Sequence, residues 1–282
     1  MQGTQKMKLD LSAAWERGTA SIGANREIVL VLAGVFLFIP LFAIFLVLLG
    51  SGFDFTGNPD ADQAQQAMRF AALIGEFLGQ YWWLLLIAFI LQAAGSIAII
   101  RILGDAAKPT VGDVLKLAAR LVPTLLAANI LSGLVVQLPS LLAELAGGGE
   151  TAVGATINLI GLPFVFYLSV KFILIAPAVA LEGQANPLKA IARSWRVTKG
   201  NSLRIFAFFL LFAVAALVLF LVLSLVFGLV FALLGARGEE IGSAAFWAFF
   251  LTTTYVIYYA VIAAMYRQLS ASRPSVPTTA GD

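Results

Sequence analysis

The chain has 282 residues, of which 61% are apolar and only 12% charged, with a mean hydropathy of +0.95. A water-soluble domain carries about 25% charged residues, so most of this surface must face lipid. The absence of cysteine and histidine removes disulfides, thiolates and the commonest general base and metal ligand, so a catalytic role is not expected, nor a metal, a cofactor or a nucleic-acid partner.

In chain order, the first predicted element is a short helix capped by Asp10, with Arg17 seven residues further on. An apolar run from Ile28 through Leu49 follows. It exceeds the roughly 7–15 residues of a signal-peptide core and reads as a retained span. Bilayer-length stretches, which need about 20 apolar residues, recur at roughly 26–50, 70–102, 121–146, 152–176, 203–235 and 243–267. The cap-to-arginine spacing returns at Asp113…Arg120 and at Asn186…Arg193. Eight residues past the first and third arginines stand Asn25 and Asn201, behind Gly23-Ala24 and Lys199-Gly200. A Gly that ends one helix and an Asn that caps the next predicts a bend between surface helix and span. The middle copy has Pro123 instead, which predicts a helix running more continuously into the bilayer.

These elements predict an all-α integral membrane protein with six transmembrane helices in three hairpins, each hairpin preceded by a short amphipathic helix. A single domain spans residues 1–269, with repeat units at about 9–103, 112–181 and 186–268, and the polar, proline-bearing tail 270–282 is expected to be disordered. On this map 16 of the 18 Lys and Arg fall on one side. The other side keeps Arg69 and Arg237 among Asp54, Asp60, Asp62, Glu76, Glu144, Glu150, Glu239 and Glu240. The positive-inside rule then puts both termini in the cytoplasm, and a bacterial inner membrane is the expected location.

The third copy, NPLKAIARSWRVTKGN, has the strongest pattern. Leu188, Ile191, Ala192 and Trp195 share one helical face, and Lys189, Arg193 and Arg196 the next, with Lys199 close by. Adjacent basic and Trp-bearing faces describe a helix lying in the headgroup layer. Two readings stay open: plain topological anchoring, and a site for lipid phosphate formed by Lys189, Arg193, Trp195, Arg196 and Lys199. Lys171 either snorkels to the interface or joins Glu182 and Arg193 in a cluster that fixes the surface helix to the bundle.

Polar residues also fall inside the spans. Asn129, Gly133, Gln137, Ser140 and Glu144 step by 4, 4, 3 and 4 along the third. Asn158, Thr252, Tyr255 and Tyr259 fall in later spans, and polar groups in hydrocarbon should turn into the bundle. They either bond helices together or, as Asn129, Gln137, Ser140, Asn158, Tyr255 and Tyr259, line a polar cavity between spans three, four and six. The chain has no phosphate-binding loop, zinc-ligand cluster or histidine triad.

Residues 168–206, LSVKFILIAPAVALEGQANPLKAIARSWRVTKGNSLRIF, resemble the membrane domain associated with glycerophosphoryl diester phosphodiesterases. The resemblance rests on Lys171 before Ala176-Pro177, on Glu182-Gly183, on Arg193-Ser194-Trp195 and on Thr198-Lys199-Gly200-Asn201. PTVGDVLKLAARLVP and LDLSAAWERG, upstream, look similar to the same family. It implies a stand-alone membrane domain, since the soluble barrel of some relatives uses histidines that this chain lacks. Lys171, Pro177, Glu182, Gly200 and Asn201 would be its structural signature. The leading expectation is a non-enzymatic protein engaging anionic phospholipids, with a role in membrane homeostasis or in support of a lipid-active membrane protein partner. The alternative is a transporter or channel for a small or lipid-like solute.

Overall fold

The structure is a computed structural model that describes residues 8–50, 63–105 and 109–271. Asp54, Asp60, Asp62, Lys108, the side chain of Arg69 and the tail after Ala271 lie outside the described residues. Every regular element among the described residues is a helix, and no strand occurs among them. Helix α1 (Leu11–Ala24) starts where the Asp10 carboxylate accepts the Ala13 N–H at 3.0 Å. The first span consists of α2 (Arg26–Ala33), a π-helical turn (Gly34–Phe38) and α3 (Ile39–Gly50). Pro40 explains the widened turn, because its ring lacks an N–H and crowds the carbonyl four residues back. The Ile39 N–H reaches Gly34, five residues back, as single-turn π-bulges do.

Helix α4 (Gln63–Gly104) leaves helical geometry at Tyr81, with φ −116° and ψ 18°. Helix α5 (Val111–Leu145) runs unbroken through Pro123 and Pro139, as the missing Gly-Asn break predicts. A turn with left-handed Gly147 and Gly148 leads to α6 (Ala152–Phe172), which Thr151 caps. Gly161 permits close approach of α6 to α5, since a Cβ there would collide with Pro139. The chain continues as α7 (Ile175–Glu182), α8 (Pro187–Thr198), α9 (Ser202–Ala232) and α10 (Gly235–Ala271).

Six helical stretches among the described residues are long and apolar enough to cross a membrane: Arg26–Gly50, Ile74–Gly104, Val111–Leu145, Ala152–Glu182, Ser202–Ala232 and Gly235–Ala271. The last begins earlier and ends later than predicted, so Ser270 and Ala271 belong to a helix rather than to a tail.

Three capping expectations change. The second copy is capped by Thr110, whose hydroxyl accepts the Asp113 N–H at 3.2 Å and donates to the Asp113 carboxylate at 2.6 Å. Asp113 is therefore a first-turn acid, and the seven-residue spacing of that copy does not start at a cap. Asn25 donates back to Ser21 O, closing α1 rather than opening α2. Asn201 gives its side-chain oxygen to the Leu9 N–H at 3.0 Å, a partner 192 residues away. A buried N–H at a chain entry needs an acceptor, and that need outranks a local cap.

Contacts divide the chain into two units. The first comprises residues 1–26, 96–213 and 257–282, and its core includes Leu9, Ala14, Val170, Ile205, Val261 and Met265. Within it, Gly18 lets α1 lie on the α10 backbone, since a Cβ there would stand 3.1 Å from Ala260 C and O. The second comprises residues 27–95 and 214–256. Its aromatic side chains interlock, with Trp247 edge-on to Phe45 and Phe220.

Candidate functional site

The first unit holds the site, and its centre is α8. Gly183, at φ +65°, ends α7 in the left-handed conformation that suits glycine. Arg101 donates to the carbonyls of Ala180 and Leu181 at 3.3 and 2.9 Å, satisfying the end of α7, and also pairs with Asp105 at 2.9 Å. Asn186 then caps α8 by accepting the Lys189 N–H at 3.0 Å. Thr124 on α5 anchors the intervening turn through a 3.0 Å bond to Ala185 O.

The side of α8 packed on α5, α6 and α7 is built from small residues. Ala190, Ser194, Val197 and Thr198 are buried, at i, i+4, i+7 and i+8 spacing. Leu188 and Trp195, on the apolar face that the sequence assigns to the headgroup layer, are 64% and 36% exposed. Small side chains win the inner face because they let helix backbones approach closely. Ser194 is fully buried: its hydroxyl donates to Lys171 O at 2.6 Å and accepts the Leu174 N–H at 3.2 Å. One side chain thus satisfies both backbone groups at the break between α6 and α7.

Of the predicted cluster of Lys171, Glu182 and Arg193, the structure brings the last two together. Arg193 Nη2 and Nε donate to Glu182 Oε1 at 2.6 and 2.8 Å, and Nε also lies 3.2 Å from the Tyr266 hydroxyl. Burial favours the neutral form of Arg193, but the bonds to Glu182 and Tyr266 outweigh it and raise its pKa. Tyr266, 2% exposed and under the guanidinium, was not singled out from sequence, because a tyrosine near the end of an apolar helix reads as an interface anchor. Ser194 stands out in the sequence only as part of the Arg193-Ser194-Trp195 motif.

Lys171 takes a different place. It is 3% exposed, and its Nζ lies 5.3 Å from the Tyr167 ring and 5.4 Å from the Trp195 ring. The two rings meet edge to face at 5.8 Å. No carboxylate pairs with Lys171 among the described residues, and Lys199 acts on it as a like charge. Two rings supply on the order of 1–2 kcal/mol each, against several kcal/mol to desolvate an ammonium. Beside this cage runs a groove of about 580 Å³ between α6 and the start of α9. Tyr167 belongs to both, and the remaining wall includes Leu162, Phe166, Leu203 and Phe206.

Residues 149–272 match the membrane domain of glycerophosphoryl diester phosphodiesterase. The matched stretch contains Lys171, Glu182, Arg193, Ser194, Trp195 and Tyr266, whereas Arg101 and Thr124, which brace α7 and the turn before α8, precede it. It also contains the 168–206 stretch on which the resemblance rests. The upstream LDLSAAWERG and PTVGDVLKLAARLVP precede it, so the match is narrower than the resemblance read from sequence. No curated protein and no solved structure matches the chain.

The remaining predicted residues divide by exposure. Within the membrane domain, Lys189, Arg196, Lys199 and Gly200 are exposed, while Pro177 and Asn201 are buried. Gly200 sits at φ +91°. Of the polar-cavity residues, Asn129, Gln137, Ser140 and Asn158 do not turn inward but are exposed, whereas Tyr255 is half-buried and Tyr259 is buried. On α5 the packed stripe runs through Leu125, Ala128, Ser132 and Ala143. At about 100° per residue the polar stripe lies roughly a quarter-turn away.

Proposed function

We propose that the protein does no chemistry of its own and engages anionic phospholipid headgroups through the outward side of α8. Its role in this reading is membrane homeostasis or support of a lipid-active membrane partner, and both termini lie on the cytoplasmic side of a bacterial inner membrane. The observation that carries the reading is how α8 sorts its residues. A small-residue face is spent on the bundle, and Leu188, Lys189, Trp195, Arg196 and Lys199 remain outward. Arg193 is excluded from headgroup binding in this reading, because Glu182 already holds it. Cations at an anionic leaflet contribute about 1 kcal/mol each, so Lys189, Arg196 and Lys199 together supply useful affinity, with Trp195 setting the depth. The exposed Asn129, Gln137, Ser140 and Asn158 lend no support to a solute pathway.

Lipid co-purification tests it. The full chain and a Lys189/Arg196/Lys199→Ala variant are extracted in mild detergent, and bound phospholipid is quantified. The variant should lose most anionic lipid while keeping zwitterionic lipid. Equal anionic retention would contradict the reading.

A further inference from the structure

A lysine nine-tenths or more buried and lacking a carboxylate partner calls for a counter-charge. Lys171 is such a residue, and Lys199 adds a second positive charge instead of a partner. A third source of positive potential begins three residues after Lys199. Helix α9 begins at Ser202, and the Asn201 side chain that would ordinarily cap it is committed to Leu9. The first N–H groups of α9 therefore have no side-chain acceptor among the described residues, and a long helix carries partial positive charge there. Two cations and a helix N-terminus, with the rings of Tyr167 and Trp195 as walls, suit a phosphate. The groove is almost wholly apolar, and Tyr167 of the cage and Ser202 at the start of α9 both line it.

We propose that this groove seats one acyl chain of an anionic phospholipid whose phosphate lies at Lys171, Lys199 and the start of α9. The proposal rests on the lipid reading above for the class of ligand but assigns a different place, a defined slot beside α8 rather than the outward face of α8. An acyl chain accounts for the apolar groove and a phosphate for the unpaired lysine, whereas a free phosphate accounts for the lysine alone. Lys171 is then a binding residue, and Tyr167 and Trp195 position its ammonium.

Photo-crosslinking of the full chain in vesicles tests the slot. The probe is phosphatidylglycerol with a diazirine at mid-chain, in a phosphatidylcholine background, and adducts are mapped by peptide mass spectrometry. Adducts should concentrate on residues 162–170 and 202–206. Lys171→Met and the exposed-site variants Lys199→Ala and Leu203→Trp should each reduce them about tenfold, the consequence of losing a charge-assisted contact or the room for a chain. Since Lys171 is buried, the other two variants carry the test where Lys171→Met does not fold. Adducts spread evenly over the spans, or unchanged in Lys199→Ala and Leu203→Trp, would overturn the slot. Excess inorganic phosphate should leave most acyl adducts in place, because the seated chain adds affinity that a free anion lacks. Lys189→Ala with Arg196→Ala, which lowers co-purified lipid if the α8 reading holds, should leave these adducts unchanged, so the two readings fail separately.

Discussion

Ser194 bridges the break between α6 and α7 with a single hydroxyl, bonded to Lys171 O and to the Leu174 N–H, all of it buried. Ser194→Ala leaves both backbone groups without a partner, at a cost on the order of 1–3 kcal/mol. Melting in detergent should fall clearly, and an unchanged melting curve would show the bonds to be dispensable. Glu182→Gln should cost less, about 1 kcal/mol or under, because 22% and 34% of the two side chains remain exposed and solvent screens the pair. The pH dependence has a definite sign. A raised pKa for Arg193 means its contribution is fully present below the unfolded value and fades only as pH rises through the folded value. Stability should therefore show no loss from Arg193 between neutral and mildly alkaline pH, measured as melting temperature in wild type against Arg193→Met.

Among the elements, the caps at Asp10 and Asn186 were legible because the acceptor lies three residues from its donor in the chain. Thr110 was hidden by Asp113, since either residue type can cap and only the backbone decides. The partner of Asn201 was illegible in principle, because Leu9 stands 192 residues away. The packed face of α8 was not legible for a related reason. Hydrophobicity ranks Leu188 and Trp195 first, whereas helix contact in a bundle selects small side chains. The pairing of Glu182 with Arg193 was legible from the sequence, whereas the aromatic pair around Lys171 depends on packing. Gly18→Val tests the docking of α1, because its Cβ would press on the Ala260 backbone at 3.1 Å. Limited proteolysis should then cut within Leu11–Ala24, a segment that should be protected in the wild type.

Across the whole molecule, the apolar composition and the exposed leucines of α9, among them Leu203, Leu211, Leu225 and Leu229, fit lipid as the surrounding medium. Charge distribution predicts the sidedness. A cysteine at Ser12 should react with an impermeant maleimide only after cells are opened, and one at Gly149 should react in intact spheroplasts; the reverse pattern would invert the topology. The absence of native cysteine makes a single label unambiguous, and the central claim is that α8 rests in an anionic headgroup layer. Its most direct measurement is the immersion depth of a spin label at Leu188→Cys in vesicles, read from the balance of oxygen and aqueous-relaxant accessibility. The account predicts headgroup depth in anionic vesicles and a shift toward water when Lys189, Arg196 and Lys199 are replaced by alanine. A label fully accessible to the aqueous relaxant, whatever the lipid charge, would contradict it.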